Sequence, residues 1–166
     1  KEDLEGLMKE VNRKLFEDTD YAQFITLACL LIDSKDNTVE YARAGHTPML
    51  IRSHDNHVEV ISPKGPALGL LPPEVNPRFD TFTFSLLPGS SLMLFTDGLT
   101  EALDQKTHED EFGVNQLIQA WNDSEASSPV GEAQHILSAV DIFTGGDDPS
   151  DDRTLLILHR PNEKET

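Results

Sequence analysis

This chain is short of thiols, of positive charge and of long apolar stretches. Cys29 is the only cysteine in 166 residues, so no intramolecular disulfide can form, which fits a reducing compartment such as the cytoplasm. Lysine and arginine number 13 against 30 acidic residues, a formal charge of −17. That imbalance repels phosphate backbones and anionic lipid, so no nucleic acid and no membrane is expected as a partner of this domain, while cations and basic partners are tolerated. Over most of the surface the acid serves solubility. No apolar run approaches the roughly 18 residues of a membrane span, and no secretory signal is visible. The sequence has no Gly-x-Ser-x-Gly elbow, so a serine hydrolase is unsupported. It has neither a Walker-type phosphate loop nor the clustered Cys/His spacing of a zinc site. The chain begins at Lys1 rather than Met and is expected to be a piece of something longer.

What is present describes a globular chain. Hydrophobic residues make up 37% and charged residues 26%, a balance typical of folded domains. The length predicts one domain, residues 1–160, with a polar tail at 161–166.

Leu4, Leu7, Met8, Val11 and Leu15 recur at helical spacing and predict an amphipathic helix over 2–16, ended by Asp18-Thr19-Asp20. Residues 24–33 form a nearly continuous apolar run, read as a central strand buried on both faces. Asp36-Asn37 turns the chain into a second strand, 39–44, completing a hairpin. Residues 49–52 and 58–61 predict another hairpin with a polar tip carrying His54 and His57, both exposed. A Pro- and Gly-rich loop spans 63–77, and strands follow at 81–84 and up to Thr96. Helices are expected at 113–122 and 130–143, and a last strand at 154–159. Successive hairpins flanked by helices indicate an α+β sandwich.

The richest segment is Ser91-Leu92-Met93-Leu94-Phe95-Thr96-Asp97-Gly98. An apolar strand runs straight into a Thr-Asp-Gly turn, which puts the Asp97 carboxylate at the rim of a sheet; Gly98 is expected to supply a positive φ there. A second acidic group, Asp147-Asp148-Pro149-Ser150-Asp151-Asp152, precedes the strand starting at Thr154. If the two strands pair antiparallel, both acidic ends meet at one edge. Two carboxylates about 4 Å apart repel by about 4 kcal/mol at an effective dielectric of about 20, a large part of a domain's stability. Such a pair persists only with a proton or cation between its members, and an all-oxygen set favours magnesium or manganese. Neighbouring strand residues face opposite ways, so only one of Asp151 and Asp152 can face such an ion if the strand begins that early. His46, in Ala44-Gly45-His46-Thr47-Pro48, is a further candidate, with a turn histidine as the plainer reading. His108, His135 and His159 have no acidic or Ser partner at motif spacing.

In order along the chain, Ala44-Gly45-His46-Thr47-Pro48, Gly65-Pro66-Ala67-Leu68-Gly69-Leu70, Leu87-Pro88-Gly89-Ser90, Phe95 to Ala102, Phe112-Gly113 and Asp151-Asp152-Arg153-Thr154 resemble the motif series of bacterial metal-dependent PPM (protein phosphatase 2C-like) serine/threonine phosphatases. The branch they are most similar to is that of SpoIIE and RsbU, and the resemblance covers roughly residues 5–160. It implies a four-layer α-β-β-α sandwich of two antiparallel sheets with Mn2+ or Mg2+ at one edge. Asp97 and Asp151 match the family's metal ligands; Asp152, Gly98 and His46 stand beside them as supporting positions. The implied reaction is hydrolysis of phosphoserine or phosphothreonine on a regulatory protein such as an anti-anti-sigma factor, a signalling role. One departure is clear. The family's first metal motif, a Gly-Asp pair ahead of the first helix, is absent, and with it the N-terminal part of the fold; an unpaired sheet edge left there invites homodimerisation. The alternative function is a non-catalytic relative that binds and regulates a protein partner.

Overall fold

The computed structural model describes residues 4–18, 23–126 and 128–162. They form two compact units, one from the described residues up to 48 together with 60–87 and one from 49–59 together with the described residues from 88 on. Both belong to the α+β class: two antiparallel sheets, each accompanied by helices. The expected class is therefore observed.

The first unit opens with α1, Leu4–Asp18. Its buried side chains are Leu4, Met8 and Asn12, a stripe at intervals of four. Leu7, expected in that stripe, is 53% exposed. Asn12 is tolerated inside because both ends of its amide are used: Nδ2 donates to the Leu71 carbonyl at 3.1 Å, and Oδ1 accepts from the Gly69 N–H at 3.0 Å. The helix thereby pins the loop over 69–71. The end expected for it at Thr19-Asp20, like its start at Glu2-Asp3, lies outside the described residues.

Strands β1 (Leu27–Asp33), β2 (Thr38–Ala44) and β5 (Thr81–Ser85) form a three-stranded antiparallel sheet ordered β1-β2-β5. The β1–β2 hairpin turns at Asn37, which takes φ 53°. The reading of the first apolar run as a central strand is corrected here. Within the described residues β2 is central, and β1 lies at the edge with Ile32 47% exposed. An apolar run reports hydrophobicity, whereas strand position depends on distant pairing. Phe24, Ile25 and Thr26 fall outside the strand, and Ile25 instead exchanges two backbone hydrogen bonds with Leu68, both 2.9 Å. The core of this unit joins Leu4 and Met8 to Ala42, Ala44, Leu68 and Phe79.

The second sheet is ordered β4-β3-β6-β7, from β3 (Met49–Arg52), β4 (Val58–Ile61), β6 (Ser91–Phe95) and β7 (Leu155–His159). The β3–β4 tip carries His54 and His57, both exposed as expected. Helices α3 (Gly113–Asn122) and α4 (Pro129–Thr144) complete this unit. α4 starts with a Ser128 hydroxyl accepting from the Gly131 N–H at 3.2 Å and ends at Gly145 with φ 69°, the cap chemistry a helix of this length requires. Its stripe Ile136 and Val140 packs with Leu117 and Trp121 of α3 over Met93 and Phe95.

A buried polar staple ties this unit together. Arg52 on β3 donates through Nη1 to the Trp121 carbonyl at 2.9 Å, pairs through Nη2 with Glu132, and lies 4.4 Å over the Trp121 ring. Glu132 also accepts from the Trp121 indole N–H at 3.0 Å. The Arg52 and Glu132 side chains are each only 11% exposed. Removing one member of such a pair leaves the other charge buried, which costs about 3–5 kcal/mol. Glu132→Ala is therefore expected to lower the denaturation free energy by about 3–5 kcal/mol in a urea titration. Glu17→Ala, in the exposed Arg13 ion pair of α1, is expected to leave the midpoint where it is.

Candidate functional site

The site grows from the pairing of β6 with β7. Their register is antiparallel, with Ser91 opposite His159 and Phe95 opposite Leu155. The C-terminal end of β6 therefore lies beside the N-terminal end of β7, and the acidic segments that continue those ends are neighbours. Thr96 fastens them. Its N–H donates to the Thr154 carbonyl at 3.0 Å; its hydroxyl donates to the Asp152 carbonyl at 2.9 Å and accepts from the Thr154 N–H at 2.8 Å. One threonine thus extends the ladder and holds the acidic loop against the strand end.

Immediately after Thr96 the chain enters α2, Asp97–Thr100, a single helical turn where a simple turn was expected. The Asp97 carbonyl accepts from the Glu101 N–H at 2.7 Å and from the Thr100 hydroxyl at 3.3 Å. Leu99, fully buried in the core with Phe95 and Ala102, anchors the turn. Asp97 itself stays exposed, with one carboxylate oxygen accepting from the Gly98 N–H at 3.1 Å.

The expectation for Gly98 is corrected. It is not among the residues with positive φ; glycine is needed because of space. A Cβ at this position would stand 2.6 Å from the Asp152 carbonyl oxygen and 3.2 Å from that of Asp151. Only a residue without a side chain lets the two acidic segments approach this closely.

Asp151 and Asp152 are both exposed and precede β7, which begins at Leu155. The strand alternation argument therefore does not apply to them. Asp151 folds back so that one carboxylate oxygen accepts from the Asp152 N–H at 2.7 Å. Asp152 contributes its backbone, through the carbonyl that Thr96 holds. Beneath them Arg153, 10% exposed, pairs with Asp141 of α4 at 2.8 Å. The structure thus brings residues 96–98 and 151–154 together.

His46 belongs to the first unit. Its Nδ1 lies 2.9 Å from the Thr47 hydroxyl, and its carbonyl accepts from Arg43. Arg43 also donates to the Pro63 carbonyl at 2.8 Å. Gly45, with φ 63°, donates to the Gly65 carbonyl at 3.0 Å. The Gly-His-Thr-Pro and Gly-Pro-Ala-Leu-Gly segments are thereby locked to each other.

The donors at the acidic corner are carboxylate oxygens, the kind a hard divalent cation prefers. Asp97 and Asp151 are two, and among the described residues no group of three or more His, Cys, Asp or Glu is arranged to hold a metal ion. Donors of this kind suit magnesium or manganese better than zinc. Sequence reasoning missed Thr96 and Arg153. Arg153 carried a signal, since no other lysine or arginine lies between Lys106 and Arg160.

Comparison with known proteins adds a second line. A protein-family model described as stage II sporulation protein E (SpoIIE) matches residues 1–161. Among curated proteins the chain is 31% identical over 103 residues to protein IcfG of Synechocystis sp., covering 62% of this chain and 16% of that protein. It is 28% identical over 155 residues to the phosphoserine phosphatase RsbU of Bacillus subtilis, covering 93% of this chain and 44% of RsbU. The chain thus spans less than half the length of either curated relative. Among solved structures, the phosphatase domain of SpoIIE from Bacillus subtilis, presoaked with manganese, superposes with a TM-score of 0.69 at 19% identity, covering 98% of this chain and 68% of that one.

Two substitutions probe the corner. Gly98→Ala forces the Asp151–Asp152 backbone away and is expected to cost about 1–3 kcal/mol by overpacking. Thr96→Val keeps the shape but removes the hydroxyl bonds, at about 1–2 kcal/mol. Urea denaturation gives both values, and amide exchange at Thr154 should accelerate in each variant.

Proposed function

Since this chain belongs to the SpoIIE family of PP2C-like phosphatases, we propose that residues 1–160 are the C-terminal portion of a metal-dependent protein serine/threonine phosphatase domain, with 161–166 a tail. The observation that carries this reading is the convergence of the Asp97 turn and the Asp151 loop across one pair of strands. Asp97 and Asp151 would hold Mn2+ or Mg2+, which when bound neutralises phosphate charge and lowers the pKa of a coordinated water. The chain's own residues set the stage for that chemistry. Leu99 and Thr96 hold the two carboxylates at the end of a rigid ladder, and Gly98 removes the bulk that would separate them. Asp152 and Gly98 act through their backbones. His46, in the first unit, is proposed only as a supporting position.

The substrate class proposed is phosphoserine or phosphothreonine on a regulatory protein of the anti-anti-sigma kind, in cytoplasmic signalling. RsbU, the relative matched over most of the chain, is named a phosphoserine phosphatase, which supports the class. No helix among the described residues is long and apolar enough to cross a membrane. One observation favours a second reading, a non-catalytic domain that binds a partner: among the described residues the donor set stops short of three. Under the enzymatic reading, the remaining ligands come from water or from chain outside this sequence.

The full-length protein with manganese is expected to release phosphate from an aryl phosphate. Asp97→Asn and Asp151→Asn should each lower that rate by about 100-fold or more while leaving the thermal unfolding midpoint nearly unchanged. Full activity in either variant removes that residue from the proposed ligand set; no activity in the parent, in the presence of a complete upstream segment, favours the binding module.

A further inference from the structure

We propose that Arg153 and Asp141 act as one positioning pair that aims the Asp151 carboxylate, a role that rests on Asp97 and Asp151 being the ligands of the divalent ion. Arg153 stands out from its surroundings. Between Thr107 and His159 it is the only lysine or arginine, and its side chain is 10% exposed. Nη1 donates to the Asp141 carboxylate at 2.8 Å, but Nε is buried without a hydrogen-bond partner among the described residues. A buried donor left unbonded costs desolvation that the fold does not recover. Asp141 offsets little of that cost, because it is 61% exposed and an ion pair to a partner this exposed contributes little. An apolar side chain of similar volume would fill the space at least as well. Stability therefore does not account for the guanidinium; its place in the chain does.

Arg153 follows Asp151 and Asp152 directly and lines one concavity of about 400 Å³ with both. Thr96 holds this stretch of backbone from the β6 side, through the Asp152 carbonyl and the Thr154 N–H. Asp141 holds it from α4, through the Arg153 side chain. The segment so anchored carries the Asp152 N–H, the donor that turns the Asp151 carboxylate at 2.7 Å. Asp141 is a firm support. Its carbonyl accepts from the Gly146 N–H at 2.8 Å. Beside it on α4, Val140 is fully buried and Phe143 packs edge-on to Phe112 at 5.4 Å. The guanidinium thus transmits the fixed position of α4 to the acidic loop, and its planar fork does so directionally. Groups standing behind a metal ligand commonly orient it in this way.

Mn2+ affinity of the full-length protein, read from the free-ion electron paramagnetic resonance signal, separates positioning from plain charge. Arg153→Met keeps the bulk and leaves Asp141 facing water, so the variant is expected to fold. If Arg153 acted by charge alone, its loss would relieve repulsion and tighten Mn2+ binding. Asp141→Ala would then weaken it, and the double variant would return to the parent. Positioning predicts weakening by about tenfold or more in each single variant, with no further loss in the double. Arg153→Lys, which keeps the charge without the fork, is expected to weaken binding too. A second readout needs no metal. The Asp152 amide proton resonance, held downfield by the Asp151 carboxylate, should move upfield in Arg153→Met and Asp141→Ala. It should stay in place in Glu17→Ala, in the exposed ion pair of α1. A parent without Mn2+ affinity brings down the ligand reading and this proposal with it. A parent that binds, with Arg153→Met equal or tighter or with the Asp152 resonance unmoved, overturns the positioning pair alone.

Discussion

The arrangement of the acidic corner depends on the clasp that Thr96 makes between the end of β6 and the approach to β7. Its backbone N–H and its hydroxyl together engage Asp152 and Thr154 through three hydrogen bonds. Antiparallel pairing alone brings two strand ends side by side; it does not decide how the chain behaves once the ladder stops. The threonine decides that, because the loop it holds is the one that carries Asp151. Gly98 supplies the complementary condition from the other side, by lacking the atom that would collide with the Asp152 carbonyl. Attraction and absence of bulk act on the same carbonyl.

The energetic division within this unit is sharp. The acidic corner is exposed and rich in like charge, so it adds little to stability on its own. Stability comes from the apolar layer of Leu99, Leu117, Ile136 and Val140, while the buried staple of Arg52, Trp121 and Glu132 is costly to break because either charge left alone is stranded. A catalytic or ligand-binding corner is commonly arranged this way, with strained or repulsive groups displayed on a scaffold whose stability comes from elsewhere.

Much of the fold was readable from local pattern. The helical spacing of Leu117, Trp121, Ile136 and Val140 marks both long helices, and the polar tip around His54 marks a hairpin, because each is decided within a few residues. That the two acidic segments neighbour each other was readable too, since reversed order of acid and strand implies it once the strands pair. What escaped was set by partners far away in sequence. β1 reads as central from its apolar run but lies at an edge among the described residues, since the run says nothing of which strand lies on each side. α2 is too short for any period to show. Gly98 looks torsional and proves steric. Arg52 meets Trp121 and Glu132 across 69 and 80 residues, a separation that no window spans.

The central claim is that Asp97 and Asp151 jointly hold one divalent ion. Mn2+ binding to the full-length protein, followed by the loss of its free-ion electron paramagnetic resonance signal, tests it through a double-mutant cycle. With a shared ion, Asp97→Asn, Asp151→Asn and the double variant should lose the tight site to the same extent, since removing either ligand ends the joint hold. Losses that simply add, or a single variant that binds Mn2+ as tightly as the parent, would contradict the account.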